Sequence, residues 1–168
     1  MRKIGFIGCG HMAQALIKGL KSNKSYELLG HDRNSKNIAW LEQEKIASYS
    51  LKEVCLEADI LMICVKPKDM YDLCSEMKTH IGKELKIVSV AAGITLENLK
   101  DALSGGKVYR AMPNIGAKHN LGITSIFSHE ELNEILDIFN YLGKAIVVED
   151  EDKINLHTSL IGSAPAFY

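Results

Sequence analysis

The amino-acid sequence predicts an α/β fold in which helices cover both faces of a doubly wound, mostly parallel sheet. Three observations predict it. Short apolar runs alternate with helical spacing along the 168 residues, as in successive βαβ units. Residues 60–65 are apolar almost throughout, which is typical of a central strand buried on both faces. A glycine-rich turn separates the first apolar run from the first helical pattern.

The first half of the chain is predicted to contain three strand–helix pairs. Each strand is a short apolar run, and each helix repeats apolar residues three or four positions apart. Ser35 is predicted to cap the second helix, because serine oxygens accept hydrogen bonds from the first helical N–H groups. The pairs are residues 3–7 with 11–21, 26–31 with 35–44, and 46–49 with 51–58.

The second half continues this alternation after the central strand at residues 60–65. Pro67 follows that strand directly, at a position where proline begins a helix. Thr95, with Asn98 three residues later, is predicted to cap the helix between the fifth and sixth strands. The remaining strands are predicted at residues 85–90, 108–112, 123–127 and 145–149, with a helix at 130–141.

Gly8, Gly10 and Ala13 form a turn of the kind that binds dinucleotides. The first glycine lets the chain reverse, the second leaves room for a pyrophosphate, and the small third residue lets helix and strand pack closely. Unpaired N–H groups and the positive end of the helix dipole then face the phosphates. Because the motif lies between a strand and a helix, it predicts a Rossmann-type cofactor domain, which we assign to residues 1–150.

The composition argues against several other classes of protein. The net charge is −1, from 20 basic and 21 acidic residues, so neither nucleic acid nor a membrane is an expected partner. No apolar run approaches the length that crosses a bilayer. The histidines lack zinc spacing, and no metal is expected.

The four cysteines show no CxxC spacing, and no export signal precedes them. Both features predict reduced thiols and a cytoplasmic location. Cys9 lies inside the glycine turn, where a helix N-terminus can lower the pKa of a thiol. We interpret Cys9 as a small space-filling side chain instead.

Ligands of doubly wound sheets bind over the carboxyl ends of the strands, where strand order reverses. The segments at these predicted ends are Gly8-Cys9-Gly10, His31-Asp32-Arg33-Asn34, Val65-Lys66-Pro67, Ser89-Val90-Ala91-Ala92-Gly93 and Arg110-Ala111-Met112-Pro113-Asn114, with Gly162-Ser163-Ala164-Pro165-Ala166 near the last residue. Their order and spacing closely resemble the pyrroline-5-carboxylate reductase family. The resemblance extends from the glycine turn to the last residue.

This resemblance implies an oxidoreductase that transfers a hydride from NAD(P)H to the C=N carbon of 1-pyrroline-5-carboxylate, a small cyclic imine, and so forms L-proline. No catalytic side chain is assigned, and solvent can supply the proton. The cofactor-binding residues expected around the turn and the strand ends are Gly8, Cys9, Gly10, His11, Met12, Ala13, Asp32, Arg33, Asn34, Val65, Lys66, Pro67, Ala91, Ala92 and Gly93.

Individual residues in this set have alternative interpretations. The resemblance implies that the segment from Val65 to Pro67 lines the nicotinamide side of the cofactor, while Lys66 is equally open to phosphate contact and to a solvated role. His11 stands where the family commonly has asparagine and is expected near the pyrophosphate. Asn114 is expected in the wall of the substrate site, and its alternative role is to stabilise a turn.

Gly162, Ser163 and Ala164 match the stretch that in the family begins a long helix and receives the substrate carboxylate. Helix-start N–H groups with a serine hydroxyl suit a carboxylate, although a plain N-cap is the alternative. Ile161 stands where the family commonly has another serine. Residues 151–168 are assigned to the start of the family's C-terminal helical domain, which builds its homo-oligomer. The rest of that domain is missing here, so we expect cofactor binding without turnover and no assembly of this chain alone.

Asp32 and Arg33 bear on the choice of cofactor. An acidic residue at the end of the second strand normally accepts hydrogen bonds from a ribose 2′-hydroxyl, which favours NAD. Arg33, with Asn34 and Lys36 nearby, offers a cation and donors for a 2′-phosphate. The family more often uses NADPH, so we expect NADPH to bind more tightly, with Asp32 turned away and paired with Arg33. NAD remains a possible cofactor.

Two other functions stay open at this point. A related NAD(P)-dependent reductase, acting on a β-hydroxyacid, a prephenate-like acid or a deazaflavin, would share the glycine turn. Such an enzyme need not carry the Ala-Ala-Gly and Met-Pro-Asn segments. A non-catalytic module that only binds a dinucleotide is the other alternative.

Overall fold

The computed structural model describes residues 1–154. These residues contain one sheet of eight strands. The strands are β1 (Arg2–Ile7), β2 (Tyr26–His31), β3 (Ala47–Ser48), β4 (Ile60–Ile63), β5 (Lys86–Ser89), β6 (Lys107–Met112), β7 (Gly122–Phe127) and β8 (Gly143–Val147). Their order across the sheet is β3-β2-β1-β4-β5-β6-β7-β8. Every neighbouring pair is parallel except β6 with β7. The predicted doubly wound, mostly parallel fold is confirmed.

Helices cover both faces of this sheet. They are α1 (His11–Leu20), α2 (Ser35–Gln43), α3 (Leu51–Glu57), α4 (Met70–Met77), α5 (Leu96–Leu103) and α6 (Asn133–Tyr141), with 3-10 helices at Pro67–Asp69 and Ile115–His119. Apolar side chains of α1, α2 and α6 belong to one hydrophobic cluster, and those of α3, α4 and α5 belong to another. Within residues 1–154, no helix combines the length and the apolar character that crossing a bilayer requires.

The central position predicted for β4 is confirmed. Its four residues are all buried, and the strand lies between β1 and β5. Leu61 and Ile63 pack into the cluster on one face, while Ile60 and Met62 pack into the cluster on the other. Burial on both faces explains why this strand shows no polar alternation.

The helix starts agree only partly with the sequence predictions. Thr95 caps α5 as predicted, because its Oγ1 accepts a hydrogen bond from the Asn98 N–H at 3.1 Å. The predicted cap at Ser35 is wrong. Asn34 is the N-cap of α2, with its Oδ1 accepting from the Lys36 N–H at 2.8 Å, and Ser35 is the first helical residue. Asparagine and serine are similarly good caps, so propensity does not separate neighbours.

The weakest predicted boundaries differ most from the structure. The third strand keeps only Ala47–Ser48 of the predicted residues 46–49. Helix α6 begins at Asn133 rather than at residue 130, because Glu131 Oε1 accepts a hydrogen bond from the Asn133 N–H at 2.6 Å in the preceding turn. The last strand, β8, lies two residues earlier than predicted. Side-chain to backbone hydrogen bonds of this kind compete with regular structure.

Candidate functional site

The glycine turn lies between β1 and α1, where the strand order reverses between β1 and β4. Gly8 has a φ of +84°, and a Cβ at this position would lie 2.9 Å from the Val65 Cγ1 atom. A larger residue would therefore be strained and would clash. Gly10 has open space where a Cβ would be, and it caps α1 without a side-chain hydrogen bond. The start of α1 thus presents unpaired N–H groups and the positive end of its dipole to a ligand.

Asp32, at the end of β2, accepts a hydrogen bond from this turn. Its Oδ2 accepts hydrogen bonds from the Cys9 N–H at 2.6 Å and from the Asn37 side-chain amide at 2.9 Å. Its Oδ1 accepts from the Asn34 N–H at 2.8 Å. Burial alone would raise the pKa of Asp32, but these donors outweigh it and lower the pKa below its ordinary value.

The expected ion pair between Asp32 and Arg33 is wrong. None of the ion pairs within residues 1–154 includes the Arg33 guanidinium, and the side chain is exposed. The Asp32 carboxylate instead accepts hydrogen bonds from the Cys9 N–H, the Asn34 N–H and the Asn37 amide. Arg33 is therefore left with its guanidinium in solvent at the edge of the site.

A cavity of about 340 Å³ opens beside the turn. It has the size of a small-molecule site. Among its lining residues are seven that the sequence predicted, from the ends of β1, β2 and β4: Gly8, Gly10, Asp32, Arg33, Asn34, Val65 and Lys66. The prediction missed other lining residues, among them Asn37, Lys68, Asp69, Asp72 and Glu76. Asn37 is the third residue of α2, six residues after the end of β2, and no sequence pattern distinguished it.

The other predicted cofactor residues lie outside this lining. Ala13 is fully buried in the packing between α1 and the sheet, and His11 is exposed at the start of α1. Ala91 is buried after β5, whereas Ala92 and Gly93 are exposed. The remaining three residues not brought into the lining are Cys9, Met12 and Pro67. Their contact with a cofactor stays a prediction.

Lys66 is exposed, three residues after the end of β4. None of the ion pairs found in residues 1–154 includes its ammonium group. Both interpretations from the sequence, a phosphate contact and a solvated role, are therefore compatible with its position in the cavity wall.

The predicted substrate residues are only partly within the described chain. Asn114 is buried after β6, and its Oδ1 accepts a hydrogen bond from the Ile123 N–H at 3.2 Å. That bond ties Asn114, the N-cap residue of the 3-10 helix at Ile115–His119, to β7. Contact of Asn114 with a substrate stays a prediction. Gly162, Ser163 and Ala164 lie outside the described residues.

The Cys9 thiol is fully buried inside the turn. Burial, together with the charge of Asp32, raises the pKa of Cys9 to about 12. Its Sγ donates weakly to the carbonyl oxygens of Phe6 and His31, at 3.7 Å and 3.6 Å. A thiol with so high a pKa is a poor nucleophile near neutral pH, in agreement with the interpretation of Cys9 as a space-filling side chain.

A second charged group lies at the same edge of the sheet, in β6. Arg110 is 1% exposed, and its Nη1 donates to Glu151 Oε2 at 2.8 Å. The same oxygen accepts from the Leu96 N–H at the start of α5, at 2.7 Å. The Arg110 Nε and Nη2 atoms are buried and have no hydrogen-bond partner within residues 1–154. Sequence reasoning placed Arg110 among the strand-end residues but gave it no role.

Comparison with known proteins agrees with this geometry. The family model described as "NADP oxidoreductase coenzyme F420-dependent" matches residues 3–93. The pyrroline-5-carboxylate reductase of Escherichia coli K12 is 35% identical over 177 residues, which cover 99% of this chain and 65% of that protein. The pyrroline-5-carboxylate reductase of Methanosarcina acetivorans is 32% identical, with 99% and 65% covered.

A solved structure shows the same likeness. The structure of a pyrroline-5-carboxylate reductase from Coxiella burnetii aligns with a TM-score of 0.88 and 27% identity, over 98% of this chain and 65% of that one. The resemblance predicted from the strand-end segments is confirmed. The chain spans 65% of the length of the two curated relatives.

Proposed function

We propose, since this chain belongs to the family of coenzyme F420-dependent NADP oxidoreductases, that it is the cofactor-binding part of a pyrroline-5-carboxylate reductase. The observation that carries the proposal is the glycine turn at the strand-order reversal, with a cavity of about 340 Å³ beside it. The reaction proposed for the whole enzyme is reduction of 1-pyrroline-5-carboxylate to L-proline. Bound NADPH would supply the hydride.

The residues around the turn fit a dinucleotide. Gly10 leaves open space over the start of α1, where the N–H groups would bind the pyrophosphate. Arg33 is exposed in the cavity wall, and its planar guanidinium suits the 2′-phosphate of NADPH. Lys66 and Lys68 add positive charge at the end of β4. NADPH is therefore the proposed cofactor, and NADH is the weaker ligand.

The remaining assignments extend this proposal to the rest of the chain. Residues 1–150 form the cofactor domain, and residues 151–168 begin a helical domain. The segment Gly162, Ser163 and Ala164 is proposed to receive the substrate carboxylate through backbone N–H groups and a hydroxyl. No side chain is assigned as proton donor. Assembly as a homo-oligomer is proposed for the whole enzyme, and the cytoplasm is its proposed location, because all four cysteines are free thiols.

Calorimetric titration with NADPH and NADH tests the cofactor assignment. We expect NADPH to bind more tightly, and Gly10→Val to weaken binding of both by at least about tenfold, because the new side chain occupies the pyrophosphate position. Gly82→Val is the matched control, since Gly82 also has open space around its Cβ position but lies away from the turn. If Gly10→Val and Gly82→Val bind the coenzymes with equal affinity, the proposed site is contradicted.

Oxidation of NADPH in the presence of 1-pyrroline-5-carboxylate tests the reaction. We expect turnover from this chain joined to the C-terminal part of the Escherichia coli relative. Turnover with a β-hydroxyacid or with prephenate, and none with the cyclic imine, would instead establish another reductase on the same scaffold. Coenzyme binding without turnover on any of these substrates would favour a module that only binds a dinucleotide.

A further inference from the structure

Most of the hydrogen-bonding capacity of Asp32 is used inside the protein. A carboxylate offers about four acceptor positions, two on each oxygen. Both positions on Oδ2 are filled, by the Cys9 N–H at 2.6 Å and by the Asn37 amide at 2.9 Å. On Oδ1, the Asn34 N–H donates at 2.8 Å.

Among these donors, Asn37 is the one side chain. The others are backbone N–H groups, which the path of the chain fixes after β1 and β2. Asn37 lies on the first turn of α2 and lines the same cavity as Asp32 and Arg33. Removal of its amide would therefore open one acceptor position on Oδ2 towards the cavity and leave the backbone unchanged.

That position matters for the choice between coenzymes. An acidic residue at the end of the second strand favours NAD by accepting a hydrogen bond from the ribose 2′-hydroxyl. With both positions on Oδ2 filled, that oxygen offers this hydroxyl no free acceptor position. Arg33 is free to meet a 2′-phosphate, because the charge of Asp32 is compensated by the N–H donors rather than by the guanidinium.

We propose that Asn37 is a specificity-determining residue, which holds the Asp32 carboxylate against the glycine turn and so favours a coenzyme with a 2′-phosphate over one with a 2′-hydroxyl. This inference rests on the proposed function, because it requires a nicotinamide coenzyme in the cavity. Under this proposal Asp32, the acidic residue at the end of β2, has a positioning role and does not recognise the ribose.

The test compares dissociation constants for NADPH and NADH in the 168-residue chain and its variants. In Asn37→Ala we expect the ratio of Kd for NADH to Kd for NADPH to fall by about tenfold, as the loss of one hydrogen bond to a charged group predicts. Alanine suits a helical position, so α2 is expected to persist. Asn37→Leu, which keeps the side-chain volume without the donor, is expected to give the same shift.

Asn98→Ala is the matched control, because Asn98 is exposed on α5 and lies outside the cavity lining. Its ratio of dissociation constants is expected to equal that of the wild type. An unchanged ratio in both Asn37 variants, with NADPH still bound by the wild type, overturns the role of Asn37 alone. If the wild type binds neither coenzyme, the proposed function fails, and this inference fails with it.

Discussion

Two charged side chains at the carboxyl edge of the sheet differ in how completely they are hydrogen-bonded. Asp32, after β2, accepts from three donors at 2.6 to 2.9 Å. Arg110, in β6, is 1% exposed and donates to Glu151. Two more of its nitrogen atoms are buried without a partner within residues 1–154.

The difference shows how far each region depends on distant parts of the chain. Two of the donors to Asp32 come from within five residues of it, and the third comes from the turn 23 residues earlier. Arg110 depends on a glutamate 41 residues later, which also accepts from the start of α5. A buried donor without an acceptor carries a desolvation penalty. We therefore expect the loss of one contact to lower the free energy of unfolding more at Arg110 than at Asp32.

Removal of the Glu151 carboxylate should produce the largest loss of stability. In Glu151→Ala, the Arg110 guanidinium would stay buried without an opposite charge, and the Leu96 N–H would lose its acceptor. We expect the free energy of unfolding to fall by about 3 kcal/mol, measured by urea denaturation at unchanged m value. Arg110→Met should cost much less, because an apolar side chain of similar volume needs no partner.

Glu84→Ala is the control for this experiment. Glu84 pairs with Lys107 at 3.1 Å, but the two side chains are 88% and 36% exposed. Exposed ion pairs contribute little to stability, because water and salt screen them. If Glu151→Ala costs no more than Glu84→Ala, then Arg110 is not held by Glu151, and the contrast with Asp32 disappears.

The parts of this molecule that sequence predicted well are those determined locally. The glycine turn, the buried strand β4 and the Thr95 cap each depend on a few neighbouring residues of distinctive type. Glycines before a helix, an unbroken apolar run, and a threonine three residues before an N–H donor each have a direct physical meaning. The strand ends that such signals placed also brought seven of the predicted site residues to one cavity.

The features that the sequence did not predict are those for which a group has several equivalent hydrogen-bond partners. Asn34 and Ser35 are adjacent and both good caps, and the structure uses Asn34. Asp32 was expected to pair with Arg33, its neighbour, but folding brings it a backbone N–H from the glycine turn. The pair of Arg110 with Glu151 has no periodicity to indicate it, since the contact joins positions 41 residues apart. The contacts of Asp32 with Cys9 and of Arg110 with Glu151 are determined by the tertiary structure.

Asp32→Ala should destabilise the protein less than Glu151→Ala does. The variant leaves the buried N–H of Cys9 without its acceptor, which costs about 2 kcal/mol. The free energy of unfolding is again measured by urea denaturation. Asp72→Ala is the matched control, because Asp72 is an exposed aspartate that lines the same cavity. An equal effect from the two variants would show that Asp32 is no better bonded than an ordinary surface carboxylate.

The smallest expected effect is the pH dependence of the difference in unfolding free energy between wild type and Asp32→Ala. Burial raises the pKa of Asp32, but its N–H donors outweigh burial, so the folded-state pKa lies below the ordinary value of 3.8. A carboxylate with a lowered pKa stabilises the fold above its unfolded-state value, and this contribution is lost as the pH falls through the folded-state pKa. The difference in unfolding free energy between wild type and Asp32→Ala should therefore be constant above about pH 5 and become smaller below it. A difference for Asp32→Ala that stays constant into strong acid would mean that the turn binds the protonated carboxyl equally well, contrary to the three donors around it.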